Sequence, residues 1–279
     1  MLKRSATVKI LFALPLASVL AWALIGAAQT NPFFAPLRAE QLTGMKVEDI
    51  DGQKIGTVHN LVLDTRSGEL KYVVIASGGF LGMHPTLKLA PARIMSAGTT
   101  KRETLAIFIT TGQWNAAPVF KPSSLASLAD PERAREISLH FRPAGGPPTN
   151  ASAHPLAETG SDHAQTNAPR PQLKFANDII GKHIVNEKQE KVGEILDLLV
   201  GFGSPHPAFA IIGSGRLFRR GREYAVPLSA MKPTGRENRW LLETDDLQLQ
   251  QAPPFSEKAW NAAATEGPSH IYRYLKTAD

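Results

Sequence analysis

Short apolar runs separated by turn residues dominate the first half of the chain, and this pattern is typical of β structure. Within the runs, apolar and polar residues alternate or β-branched residues are concentrated, as in half-buried strands. The predicted strands are residues 45–48, 54–63, 70–76, 87–91 and 104–110. Asp51-Gly52 suits the positive-φ positions of a tight hairpin turn, and residues 64–68 predict a second turn. Turn signals about 8–12 residues apart favour a small closed or half-open barrel.

A short helix is predicted after these strands, at residues 130–140, because Asp-Pro suits a helix start. The second half of the chain then repeats the outline of the first. The identical pairs, all 137 residues apart, are Gly44 with Gly181, Lys54 with Lys191, Gly56 with Gly193, Ser67 with Ser204 and Ile75 with Ile212. Apolar positions recur in the same order, and beyond a loop of different length Pro91 matches Pro227. The repeat predicts two copies of one fold.

Residues at turns, strand ends and close approaches, most of which recur in both halves, are expected to have structural roles. They are Gly44, Asp51, Gly52, Gly56, Pro91, Gly181, Gly193 and Pro227. The repeat departs from its pattern at the first hairpin, where Lys188-Gln189 stands in place of Asp-Gly. Because neither residue suits positive φ as glycine does, we expect this hairpin to be looser or differently shaped.

The N-terminus has the composition of an export signal. Lys3, Arg4 and Lys9 precede the uncharged apolar run 10–28, which ends in small residues. We expect a cleaved signal peptide and a periplasmic or otherwise exported protein. The alternative is an uncleaved inner-membrane anchor, because about 20 apolar residues span a bilayer. These three cations are half of the net charge of +6, and the remainder gives no argument for nucleic-acid binding.

A stretch with almost no bulky apolar side chain divides the rest of the chain. Such a stretch buries too little surface to offset its ordering entropy, so it predicts a flexible linker. The expected organisation is a leader at 1–28, a first domain with its tail at 41–141, the linker at 142–172, and a second domain with its tail at 173–279. The chain has no cysteine, which excludes disulfides, thiolate metal sites and a cysteine nucleophile.

Several segments of the first half resemble a known family: Leu42-Thr-Gly-Met-Lys-Val, Asp51-Gly-Gln-Lys-Ile-Gly-Thr-Val, Gly68-Glu-Leu-Lys-Tyr-Val-Val-Ile and Leu89-Ala-Pro. Residues 41–120, and with more departures 178–255, resemble the PRC-barrel domain, and the combination resembles exported tandem PRC-barrel proteins of bacterial envelopes. The resemblance implies a mainly β protein: two small barrels in tandem, each with a short C-terminal helical tail, joined by the linker. It implies docking or assembly surfaces and no catalytic residues.

Two loops carry candidate binding residues. The first contains Arg216, Arg219, Arg220 and Arg222, whose guanidinium groups suit carboxylate or phosphate groups. The alternative for this loop is a solvated strand connection that keeps a sheet edge soluble. The second loop, 78–82, carries Phe80 and Leu81 as a candidate contact for a partner. Because a strand follows this glycine-rich loop rather than a helix, it does not predict a phosphate site.

We predict no catalytic residue, metal site or cofactor. The histidines lack close ligand spacing, and no serine lies in a GxSxG frame. We therefore expect a non-enzymatic, exported binding or scaffolding protein of the bacterial envelope. Its two barrels are expected to dock on each other through apolar faces and on an envelope protein. The alternatives are a module that binds an anionic ligand or envelope polymer through the loop from Arg216 to Arg222, and a hydrolase of an envelope polymer.

Overall fold

The described part of the chain contains two halves with the same order of elements. A computed structural model describes residues 37–78, 85–97, 104–142, 169–202, 208–213, 223–236, 238–242 and 254–256. The leader predicted at 1–28 and most of the predicted linker lie outside these ranges. Among the helices of the described ranges, none has the length and apolar character needed to cross a membrane.

The first half contains barrel 1, residues 44–107, and a helical tail. Its elements are β1 (Leu37–Arg38), α1 (Ala39–Leu42), β2 (Lys46–Glu48), β3 (Lys54–Asp64), β4 (Glu69–Ser77), β5 (Thr86–Pro91), β6 (Met95–Ala97), β7 (Thr104–Ile107), α2 (Thr111–Ala116) and α3 (Pro131–His140). Segments of 3-10 helix lie at Ala92–Ile94 and Pro122–Ala129. The five predicted strands and the predicted tail helix are confirmed, with ends that differ by at most three residues.

The second half contains barrel 2, residues 181–242, preceded by its own short elements. They are β8 (Leu173–Phe175), α4 (Ala176–Ile179), β9 (His183–Val185), β10 (Lys191–Val200), β11 (Phe209–Gly213), β12 (Glu223–Pro227), β13 (Met231–Pro233) and β14 (Arg239–Leu242). A 3-10 segment at Leu228–Ala230 corresponds to the one at Ala92–Ile94. The chain is therefore mainly β within its described ranges.

The two sheets share one strand order, which confirms the predicted duplication. The order is β5-β4-β3-β2-β7-β6 in barrel 1 and β12-β11-β10-β9-β14-β13 in barrel 2. In each sheet one pair is parallel, β2 with β7 and β9 with β14, and the other pairs along the path are antiparallel. The long strands β3 and β10 bulge at the same place in the repeat, before Asn60 and Asp197. Such a bulge bends the strand and increases its twist, as a small barrel requires.

The first hairpin of barrel 2 has the same turn as that of barrel 1, so the expectation of a looser or different hairpin is wrong. Gln189 has a φ of 62°, close to the 73° of Gly52. The N–H of Gln189 donates to the Asn186 carbonyl at 2.9 Å, and that of Gly52 donates to the Asp49 carbonyl at 3.0 Å. The side chains of Asn186 and Asp49 each accept a backbone N–H four residues later, at 3.0 and 2.8 Å. This shared side-chain bond holds the turn where glycine is absent.

Helix α2 was not predicted, and a local signal for it is present. Thr110 and Gln113 form a capping box, in which the Thr110 hydroxyl accepts from Gln113 N and the Gln113 side chain accepts from Thr110 N. The helix places Trp114 in the core at 2% exposure. The ammonium group of Lys88 donates to the carbonyls of Trp114 and Asn115 at 2.8 and 2.9 Å, so it satisfies two carbonyls at the end of the helix. Burial lowers the pKa of Lys88.

Candidate functional site

Two short segments join the halves of the molecule. The first strap is residues 37–42, which form β1 and α1, and the second strap is residues 172–179, which include β8 and α4. Each strap precedes one barrel in the chain but pairs with the other. β1 lies antiparallel to the end of β10, and β8 lies antiparallel to the end of β3. The opposed residues are Leu37 with Val200 and, at the equivalent positions of the 137-residue repeat, Lys174 with Leu63.

Further hydrogen bonds extend the contact between the halves. The N–H of Gln172 donates to the Asp64 carboxylate at 2.9 Å, and the N–H of Thr65 donates to the Gln172 carbonyl at 2.9 Å. The two barrels also contact each other directly, since Ala208 N donates to the Gly68 carbonyl at 2.5 Å. The two halves are therefore connected by backbone pairing of the straps and by direct contact of the barrels.

The first strap makes charged contacts with barrel 2. The guanidinium group of Arg38 lies 3.1 Å from the Glu223 carboxylate and 3.8 Å from the Asp197 carboxylate. The carbon of the same group lies 5.4 Å from the ring centroid of Phe255, within cation–π range. The backbone N–H of Glu40 donates to Asp197 Oδ1 at 3.3 Å. Arg38 is thus held by two carboxylates and one ring.

Asp197 is the buried member of this group. Its side chain is 2% exposed, whereas that of Arg38 is 21% exposed. Oδ1 accepts the N–H groups of Leu198 and Glu40, but within the described residues Oδ2 accepts no hydrogen bond. Burial raises the pKa of Asp197, and the two backbone bonds and Arg38 only partly oppose this effect. The charge of Asp197 is therefore stabilised first by the N–H groups of Leu198 and Glu40, and Arg38 is the cation that adds to them.

The second strap makes the equivalent contact with barrel 1 by different chemistry. Phe175 occupies the position of Arg38 in the repeat, and its ring packs edge-on against Phe120 with centroids 6.3 Å apart. The residues of barrel 1 that correspond to Asp197, Glu223 and Phe255 are Asn60, Leu87 and Phe120. One contact is thus charged and the other is aromatic, although the backbone pairing is the same.

The predicted structural glycines lie where the straps meet the barrels and where strands approach closely. Gly44 and Gly181 follow the two straps with φ of 84° and 78°. Their N–H groups donate at 2.8 and 2.7 Å to carbonyls of β3 and β10. A Cβ at Gly56 would lie 2.4 Å from the Ala76 carbonyl oxygen, so β3 and β4 approach too closely there for a side chain. The other such residues lie at strand ends or a register shift: Pro91, Pro227 and Gly193.

A buried carboxylate that the sequence analysis did not single out organises the first hairpin. Asp49 is 4% exposed and accepts the backbone N–H groups of Gln53 at 2.8 Å and Asp51 at 3.0 Å, as well as the Thr111 hydroxyl. Burial raises the pKa of Asp49, but these hydrogen bonds outweigh it, so the pKa is lowered overall. Asp51 itself is exposed and contributes its backbone N–H, and Gly52 takes the positive φ.

The candidate binding loops lie outside the described residues. This applies to Phe80 and Leu81 and to the arginines at 216, 219, 220 and 222. Within the described ranges, no group of three or more His, Asp or Glu side chains is arranged to hold a metal ion.

An apolar surface on barrel 1 was not anticipated. Ile50 is 56% exposed and Phe108 is 40% exposed, and the N–H of Ile50 donates to the Ile109 carbonyl at 3.2 Å, which brings the two segments together. The corresponding sequence positions in barrel 2 are Glu187 and Glu243. This surface therefore distinguishes the two copies of the repeat.

The comparison with protein families finds one family. The model described as PRC-barrel domain matches residues 37–111 and 171–242, which together are more than half of the chain. Each matched segment contains a strap, so in sequence a strap belongs to the barrel that follows it. The comparison with curated proteins finds no match.

Proposed function

Because the chain belongs to the PRC-barrel domain family and carries two copies of the domain, we propose that it is a non-enzymatic binding or scaffolding protein of the bacterial envelope. The reciprocal pairing of the straps carries this proposal. It joins two barrels of the same fold into one unit, so surfaces on both are presented to a partner in a defined geometry. A unit with preformed geometry loses less conformational entropy on binding than two free domains.

The apolar surface of Ile50 and Phe108 is the proposed contact with a protein partner. Large apolar side chains exposed on neighbouring segments are typical of interaction sites, because contact with a partner removes their surface from water. Barrel 2 has glutamates at the corresponding positions, so only barrel 1 offers this surface. The partner side would be an apolar patch of an envelope protein. The export signal predicted at the N-terminus supports the choice of compartment.

The test uses the full chain with a photoreactive amino acid at Asp51, next to the apolar surface. The chain is incubated with envelope extract at low and high salt, irradiated, and analysed for cross-linked protein. We expect one specific polypeptide under both conditions, lost in the variant Ile50→Glu/Phe108→Glu. Val119→Glu is the matched control, because Val119 is also exposed, at 61%, but lies in the tail of barrel 1. This control should retain the cross-link.

Two outcomes would contradict the proposal. Retention of the polypeptide by Ile50→Glu/Phe108→Glu would show that another surface binds it. If only polyanions were recovered, and if salt or the substitutions Arg219→Ala/Arg220→Ala removed them, the anionic-ligand alternative would be favoured. Salt weakens such binding because it screens the attraction between opposite charges.

A further inference from the structure

We propose that Arg38 and Phe175 determine which barrel each strap binds, so that barrel 1 pairs with barrel 2, and like barrels of two copies of the chain do not pair with each other. This inference concerns the pairing of the barrels and is independent of the partner proposed above. It rests on one difference between two otherwise equivalent contacts. The backbone register is the same in both, whereas the side chains that meet the strap differ in charge.

The site on barrel 2 fits a cation. Asp197 and Glu223 both lie within 4 Å of the Arg38 guanidinium, and Phe255 lies under it. A phenylalanine at the strap position would leave the carboxylate of Asp197 covered and without a cation. An unpaired charge in a covered position is strongly unfavourable, so a Phe-bearing strap is rejected here.

The site on barrel 1 fits an aromatic ring. Phe120 meets the ring of Phe175 edge-on, and the positions that carry carboxylates in barrel 2 are Asn60 and Leu87. Asp64, further along β3, already accepts the N–H of Gln172. It also accepts the N–H of Arg66 and the hydroxyl of Ser67 within its own turn. An arginine at the strap position would therefore lose the ring contact and meet amide and apolar groups in place of two carboxylates.

Pairing between like barrels of two copies would combine both mismatches. Two copies of barrel 1 would present Arg38 to Asn60 and Leu87, and two copies of barrel 2 would present Phe175 to Asp197 and Glu223. Unfavourable wrong pairings of this kind give specificity in addition to the favourable right one. A duplicated domain needs this difference in side chains, because the backbone of each strap fits either barrel equally well.

The test exchanges the two side chains in the full chain, as Arg38→Phe/Phe175→Arg. After the exchange, the first strap fits a barrel 1 and the second strap fits a barrel 2. These pairings form when each strap binds the like barrel of a second copy of the chain. We expect the mass measured by light scattering to be twice that of the wild type at the same concentration. The matched control, Arg38→Lys/Phe175→Tyr, keeps a cation and an aromatic ring and should keep the wild-type mass.

Engineered cysteines identify the pairing directly, because the chain has none of its own. Leu37→Cys with Leu63→Cys places the two thiols opposite each other only when a first strap lies on a barrel 1. After oxidation with diamide, we expect a covalent dimer in the exchanged background and none in the wild-type background. In the wild type, Leu37→Cys with Val200→Cys should form a bond within one chain, since these residues are opposed in the structure.

A second measurement applies if the exchanged chain does not fold. Arg38→Phe alone should increase by about tenfold the exchange rate of the backbone amide at the end of β10 that bonds to β1, because it removes the cation from a covered carboxylate. Adding Asp197→Asn and Glu223→Leu, the residues of barrel 1, should restore the wild-type rate. The inference would be overturned if Arg38→Phe left the amide exchange rate unchanged, or if the triple variant did not restore the wild-type rate. It would also be overturned if Arg38→Phe/Phe175→Arg had the wild-type mass while the amides paired with both straps stayed protected.

Discussion

The matching hairpin turns of the two barrels provide a reciprocal test of backbone energetics. Gln189 has a φ of 62° where Gly52 has 73°, and the hydrogen bonds around both residues are the same. A non-glycine residue in the left-handed region costs roughly 1–2 kcal/mol. Glycine recovers only part of this, because it loses roughly 0.5–1 kcal/mol more entropy on folding. Gln189→Gly should therefore raise the free energy of unfolding by about 1 kcal/mol, and Gly52→Gln should lower it by a similar amount.

Urea unfolding of the full chain, followed by circular dichroism, measures both changes. The dependence of the free energy on urea should stay constant, since neither substitution changes the surface exposed on unfolding. For a chain of this size, a change of about 1 kcal/mol corresponds to roughly 2–4 °C in Tm. The reasoning is refuted if Gln189→Gly leaves the protein unchanged or destabilises it. A loss in both variants would mean that the side chain of Gln189 contributes contacts worth more than its backbone strain.

Further predictions concern packing, a buried cation and pH. Gly56→Ala should lower the free energy of unfolding by about 3 kcal/mol, because its Cβ would lie 2.4 Å from a carbonyl oxygen. Gly112→Ala is the control for urea unfolding, since its Cβ has no neighbour closer than 3.8 Å. Lys88→Met should cost about 1–3 kcal/mol in the same assay, because the Asn115 carbonyl loses the ammonium donor and the Trp114 carbonyl keeps only the N–H of Ala117. Since burial raises the pKa of Asp197, the folded protein binds this proton more tightly than the unfolded chain. The destabilising contribution of Asp197 is therefore absent below its ordinary pKa of 3.8 and grows as pH rises through the raised value. Asp197→Asn should remove this part of the pH dependence, measured by urea unfolding between pH 4 and pH 8, and an unchanged profile would contradict it.

Local patterning was sufficient for the regular part of the fold. Apolar and β-branched runs predicted β3 and β4 almost to the residue, because consecutive side chains are buried in the second half of β3 and in the middle of β4. The repeat of glycines and apolar residues predicted one fold for both halves, and the shared strand order confirms it.

The straps could not be predicted in this way. A strand of two residues such as Leu37–Arg38 has no alternation, and its partner Val200 lies in the other half of the chain. Helix α2 was missed for a different reason. Its sequence contains glycine and asparagine, which are poor helix formers, although the capping pair Thr110 and Gln113 marks its start.

The charged contact around Asp197 could not be predicted from the pattern of any one strand. Arg38, Asp197 and Glu223 lie on three strands, and only the folded chain brings them together. The residues at the equivalent positions of the other contact are Phe175, Asn60 and Leu87, and each of them differs chemically from its counterpart. An alignment of the two halves therefore does not reveal the contact of Arg38 with the two carboxylates by itself. The structure is needed to show which residues meet.

The crossed attachment of the first strap also determines how the molecule transmits mechanical load. Tension on the polypeptide upstream of residue 37 does not act first on barrel 1, although barrel 1 follows directly in sequence. It acts first on the backbone pairing between β1 and β10, and therefore on barrel 2. A pull from the N-terminal side is therefore resisted first by hydrogen bonds to the barrel that is more distant in sequence.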